Sequence, residues 1–119
     1  MGNMQLEVAV HDTESSVGFA LLDDAKSTEE SLTISGGIVV HGQPVYFRKS
    51  ADFPQIFSYL LEFARDVAPI VVGAAVYDWL KARLKRSPQK ITIDGQEVEL
   101  DREQIERAVQ KALSERDDR

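Results

Sequence analysis

The stretch Phe53–Arg86, FPQIFSYLLEFARDVAPIVVGAAVYDWLKARLKR, decides how the rest of the chain is read. It holds the long apolar pattern of the sequence, the single tryptophan, Trp79, and a basic end at Lys81, Arg83, Lys85 and Arg86. Ile56, Phe57, Leu60, Phe63, Ala64 and Val67 recur at helical spacing and predict one apolar stripe. Ser50 or Asp52 offers an N-cap acceptor ahead of it, and Pro54 falls in the first turn, where a missing amide proton costs little. Pro69 has to kink this helix or start a second one, because its ring clashes with the preceding turn. The eleven residues Val67–Tyr77 carry no charge, which predicts a segment apolar on every side and central to the core. The cations after it sit at the helix C-terminus, where the dipole favours them.

An apolar run followed by a basic cluster has the outline of a membrane stop. At about 1.5 Å per residue, however, eleven residues cover roughly half of a hydrocarbon core of about 30 Å. Lengthening the run takes in Asp66, Arg65 and Glu62 on one side or Asp78 on the other, each costly in lipid. The expectation is a buried helix, with membrane insertion or peripheral attachment as the alternative.

The flanks are strand-like. Met4, Leu6, Val8 and Val10 alternate with Gln5, Glu7 and Ala9, the period of a half-buried strand. The short apolar run Val17–Leu22 fits a strand or a helix equally, and Asp23–Ser31 reads as a solvated connection. Leu32–Val40 is β-branched, with a bulge or tight bend expected at Gly36 and Gly37, and a hairpin closed by HGQ leads into Pro44–Arg48. After Pro88, Asp94 and Gly95 predict a two-residue type I′ turn. That register sets Ile91 opposite Val98 on a core face, with Thr92 opposite Glu97 and Lys90 opposite Glu99 on a wet one. Asp101 and Gln104 match a capping box with Asp in place of Ser or Thr, and Ile105, Ala108, Val109, Ala112 and Leu113 form the buried stripe of a last helix. Residues 114–119 are expected to fray.

A length of 119 residues fits one domain, and 43% hydrophobic with 29% charged residues is the balance of a folded globular chain. The net charge of −6, from 20 acidic and 14 basic residues, argues against generic nucleic-acid binding, since a phosphate backbone attracts positive surfaces. The first 50 residues carry 7 acidic and 3 basic groups, so the acidity is mostly N-terminal. The absence of cysteine removes thiolate, disulfide and Cys-zinc chemistry and fits a reducing compartment. MGNMQLEVAV has no basic region followed by an apolar one, and the expected location is the cytoplasm.

Candidate chemistry is sparse. His11 and His41 are the two imidazoles, and neither has a second ligand at metal-binding spacing, so the reading assigns no metal, cofactor or catalytic residue. No GxSxG elbow accompanies the serines, and Ser35-Gly36-Gly37 lacks the remainder of a phosphate-binding loop. The acidic pairs Asp23-Asp24 and Glu29-Glu30 lack the spacing of a calcium loop. The basic group completes its helix dipole and is also a candidate contact for a partner.

The C-terminal two-thirds resembles the effector-associated constant component families of bacterial conflict systems, small accessory domains encoded beside or fused to effector modules. The likeness covers about residues 53–113 and rests on Trp79, Leu80, Arg83, Ile91, Ile93, Asp94, Gly95, Val98 and Leu100. It implies a non-enzymatic accessory or adaptor role and transfers no catalytic residue.

The expected fold is therefore a single α+β domain over 1–119, with N-terminal strands, a long Pro-kinked central helix, a β-hairpin and a C-terminal helix. The expected function is protein–protein interaction, with an effector or toxin-like protein as partner and with Tyr77, Trp79, Lys81, Arg83, Lys85 and Arg86 as candidate contacts, although core packing competes for both aromatics. Three alternatives stay open: an acidic immunity or inhibitor protein that occludes a basic partner, a membrane-associated accessory subunit, and a small enzyme or ligand-binding domain that uses His11 or His41. Self-association is a further option for the same surface.

Overall fold

The computed structural model describes residues 3–12, 21–22, 31–42, 55–84, 88 and 90–117. These form one six-stranded antiparallel sheet with two helices on one of its faces. The elements are β1 (Met4–Asp12), β2 (Ser31–Ile34), β3 (Ile38–Gly42), β4 (Gln55–Phe63), α1 (Pro69–Arg83), β5 (Lys90–Ile93), β6 (Gln96–Val98) and α2 (Arg102–Asp117). Spatial order is β2-β3-β4-β1-β5-β6, so the first strand lies inside the sheet, between β4 and β5. Its alternation explains the place: Leu6, Val8 and Val10 are fully buried, while Gln5 and Glu7 face out.

The helix expected from the Ile56–Val67 spacing is not formed, and among the described residues there is no long Pro-kinked helix. Gln55–Phe63 is β4, paired along its length with β1 from Met4–Phe63 to Asp12–Gln55 and with β3 from Val39–Glu62 to Gly42–Tyr59. Phe57, Tyr59, Leu61 and Phe63 point into the core, and Ile56 and the half-buried Ser58, Leu60 and Glu62 point to the open face. QIFSYLLEF satisfies both periods, because Phe57, Leu60 and Phe63 fit a helix while Phe57, Tyr59, Leu61 and Phe63 fit a strand. Two flanking strands that need partners settle the choice. Pro69 takes the role of helix starter, at the first position of α1. The expected cap residues Ser50 and Asp52, with Pro54, lie outside the described residues.

The glycine pair is the hairpin turn itself. Ser35–Gly37 form a single 3-10 turn joining β2 to β3, with Gly36 at φ +77, a conformation that costs an L side chain about 1–2 kcal/mol. His41 and Gly42, expected in a hairpin turn, continue β3, and Pro44–Arg48 lies outside the described residues. Leu21 and Leu22 are a buried turn. The second hairpin matches expectation, with Ile91 opposite Val98 and Thr92 opposite Glu97, and with φ positive at both Asp94 and Gly95. Asp94 also extends the sheet: its amide donates to the Glu7 carbonyl at 2.8 Å and its Oδ1 accepts the Glu7 amide at 2.9 Å.

Both helices bury the stripes that face the sheet. In α1 these are Val72, Gly73, Ala75, Val76, Trp79 and Leu80, and in α2 they are Ile105, Ala108, Val109, Ala112 and Leu113. Asp101 Oδ2 accepts the Gln104 amide at 3.0 Å, as a capping box requires. Gln104 Oε1 reaches back to the Glu99 amide at 3.1 Å rather than to Asp101, whose amide already donates to the Glu99 carbonyl. The helix runs on through Asp117. The two helices touch at Gly73, where a β-carbon would lie 3.0 Å from the Glu106 Cα. Gly73→Ala is expected to lower stability by about 1 kcal/mol, because overpacking against backbone (about 1–3 kcal/mol) outweighs the helix-propensity gain of about 1 kcal/mol. Urea unfolding measures it, and a stabilised variant would contradict the close approach.

Candidate functional site

The sequence-predicted contact residues separate in the fold. Trp79 is interior at 2% exposure; its Nε1 donates to the Leu21 carbonyl at 2.8 Å and its ring meets Tyr59 edge-on, centroids 5.3 Å apart. It packs in the core. Tyr77 is half-buried, with the Arg102 guanidinium of α2 5.7 Å from its ring centroid. Arg83 donates from Nη1 to the Trp79 carbonyl at 3.4 Å, and Lys81 is exposed. Both cations occupy the last turn of α1, where the dipole favours them. Lys85 and Arg86 lie outside the described residues.

The open face of the sheet carries the polar groups. His41 Nδ1 stands 2.9 Å from Ser31 Oγ, and His41 Nε2 is 3.7 Å from Glu62 Oε1, so one imidazole links β2, β3 and β4. All three side chains are substantially exposed, an arrangement that suits cross-strand pairing on a wet face. His11 is paired across strands with Lys90 and Ile56, and partial burial first, the Lys90 charge second, hold its pKa below the ordinary imidazole value against the opposing pull of Glu97. Burial likewise pushes the Tyr59 phenol well above its usual range. The two imidazoles stand on strands separated by β4 and do not converge. Among the described residues no group of three or more His, Cys, Asp or Glu is placed to hold a metal ion. A cleft of about 640 Å³ at the β5–β6 hairpin sets Lys90 against Glu97 and Glu99, beside Gln104 at the start of α2. No described helix is long and apolar enough to cross a membrane.

What the sequence reading passed over is the other end of α1. Ile70 is 62% exposed and Val71 43%, although both lie in the uncharged run expected to be central. The signal was present: a helix apolar on every side buries only one side against a single sheet, and the remainder must face out. Ile70, Ala74, Tyr77 and Lys81 follow one another at helical spacing along one side of α1, exposed at Ile70 and Lys81 and half-buried at Ala74 and at Tyr77, which also packs against the core. Val71 lies over the β2–β3 turn, its Cγ1 3.3 Å from where a β-carbon on Gly36 would sit.

The described residues form a two-layer α+β fold with the Ile70 side of α1 exposed and no described strand beyond β2 or β6. No protein-family model, curated protein or solved structure matches the chain.

Proposed function

We propose that this chain is a non-enzymatic accessory or adaptor protein that binds a protein partner through the outward side of α1. The observation that supports the reading is the line Ile70, Ala74, Tyr77 and Lys81, apolar at its N-terminal end, aromatic in the middle and cationic at its C-terminal end. Surface apolar groups with an aromatic anchor and a charged margin are the composition of a small protein–protein contact. Tyr77 is held by Arg102, so it would meet a partner with little loss of side-chain freedom. The resemblance of residues 53–113 to constant components of bacterial conflict systems supports an effector or toxin-like protein as that partner.

A photo-crosslinking residue in place of Tyr77, in cells of the native host, is expected to give a discrete adduct with a protein other than the chain itself. The same residue at Ser58, on the open face, is expected to give none. Ile70→Glu and Lys81→Glu are expected to reduce the Tyr77 adduct several-fold while changing stability by no more than about 0.5 kcal/mol, as exposed substitutions do. The reading fails if neither position yields an adduct while the purified chain turns over a substrate.

A further inference from the structure

Edge strands offer unpaired amide and carbonyl groups, and natural sheets guard them with charge, proline or bulges. The edge at β6 follows that rule: it is three residues long, contains Glu97 and runs into Glu99. The edge at β2 has no such guard within its four residues, the charges Glu29 and Glu30 preceding it in the sequence. Ser31–Ile34 pairs with β3 on one side, has no described strand on the other, and belongs to the stretch SLTISGGIVV, which contains no charge and no proline. Its inward residues, Leu32 and Ile34, are only half-buried, and the exposed Val71 lies over Gly36 at the same end of the sheet.

We infer that β2 is the contact of a two-fold dimer, in which the strand pairs antiparallel with β2 of a second copy about an axis at Thr33. The sequence of the edge suits its own copy. Pairing centred on Thr33 sets Leu32 opposite Ile34 of the other chain and Ile34 opposite its Leu32, on the helix-bearing face, with Thr33 opposite Thr33 on the open face. A one-residue slip would set apolar against polar side chains. Because the axis is perpendicular to the sheet, both helix layers lie on one side of the joined sheet. Charge selects the same occupant. In an isologous contact one patch faces a copy of itself, so a charge near the axis opposes its like, and an uncharged stretch escapes that repulsion. Residues 31–40 are such a stretch, whereas an acidic or basic peptide would find no counter-charge there. The dimer joins two six-stranded sheets into one. It stands on the sheet edge and not on the α1 contact proposed above.

Sedimentation velocity over a range of concentrations is expected to show a reversible monomer–dimer equilibrium. Thr33 is exposed, so Thr33→Lys leaves the fold intact, confirmed by circular dichroism, and weakens dimerisation several-fold by opposing two ammonium groups at the axis. Opposed strand residues have Cα atoms about 4.5–5.5 Å apart, within the range a disulfide spans. Since the chain has no cysteine, Thr33→Cys is expected to oxidise to a covalent dimer much faster than Ser58→Cys. A wild-type chain that stays monomeric throughout, or a Thr33→Cys variant that crosslinks no faster than the Ser58 control, overturns the inference. A monomer that still forms the Tyr77 adduct overturns the dimer and leaves the partner-binding proposal standing.

Discussion

Trp79→Ala is expected to remove about 3–5 kcal/mol of stability, the range for deleting a buried large aromatic, and so a large part of the roughly 5–15 kcal/mol that a domain commonly has. Three losses combine in that figure. The indole fills the space between α1 and the inward face of β4, and its edge-on contact with Tyr59 goes with it. The third loss is the Nε1 donor to the Leu21 carbonyl, which holds the fully buried Leu21, 58 residues away in the chain, against the helix. Trp79→Phe separates these terms: it keeps an aromatic ring beside Tyr59 but deprives the buried carbonyl of its donor, a cost of about 1–3 kcal/mol. Urea unfolding followed by far-ultraviolet circular dichroism measures both, since each variant lacks the only tryptophan. A loss below about 1 kcal/mol for the alanine variant would mean that Trp79 is surface-exposed, as an exposed substitution costs no more.

The second large effect distinguishes the strand at Gln55–Phe63 from the helix its spacing also allows. Leu61→Ala is expected to cost about 2–5 kcal/mol, because Leu61 is fully buried between its cross-strand neighbours Leu6 and Val40. Leu60→Ala is expected to cost about 1 kcal/mol or less, because Leu60 is half-buried on the open face between Glu7 and His41. A helical stripe through Phe57, Leu60 and Phe63 requires the reverse order, with Leu60 in the core and Leu61 outside it. The comparison is internal to one pair of adjacent leucines, so differences in side-chain chemistry do not enter.

The elements legible in the sequence are those whose signal is local. β1 announces itself by alternation alone, and its Leu6, Val8 and Val10 are fully buried. Asp94-Gly95 states its turn because few residue pairs accept positive φ twice in succession. The last helix carries its own cap, Asp101, and a single apolar stripe. β4 is different, since one stretch holds two periodicities of similar quality, and α1 is different in another way, since an all-apolar run does not say which side is covered. The candidate surface inherits both ambiguities. Trp79 was as eligible for the surface as Tyr77 on composition, and Ile70 and Val71 looked as buried as Val72 and Val76.

By itself the sequence determined an α+β chain with a strand first, a type I′ hairpin late and a capped helix last, because each of those rests on bonds and dihedral preferences within a few residues. The tertiary structure alone decided that Gln55–Phe63 is a strand, that Pro69 begins a helix instead of bending one, and that Trp79 faces inward while Ile70 faces out. The physical reason is common to all three. Backbone amides of β1 and β3 must be paired by something, β4 is placed between them to do so, and once that sheet exists it has one apolar face, against which a helix can bury only one of its sides.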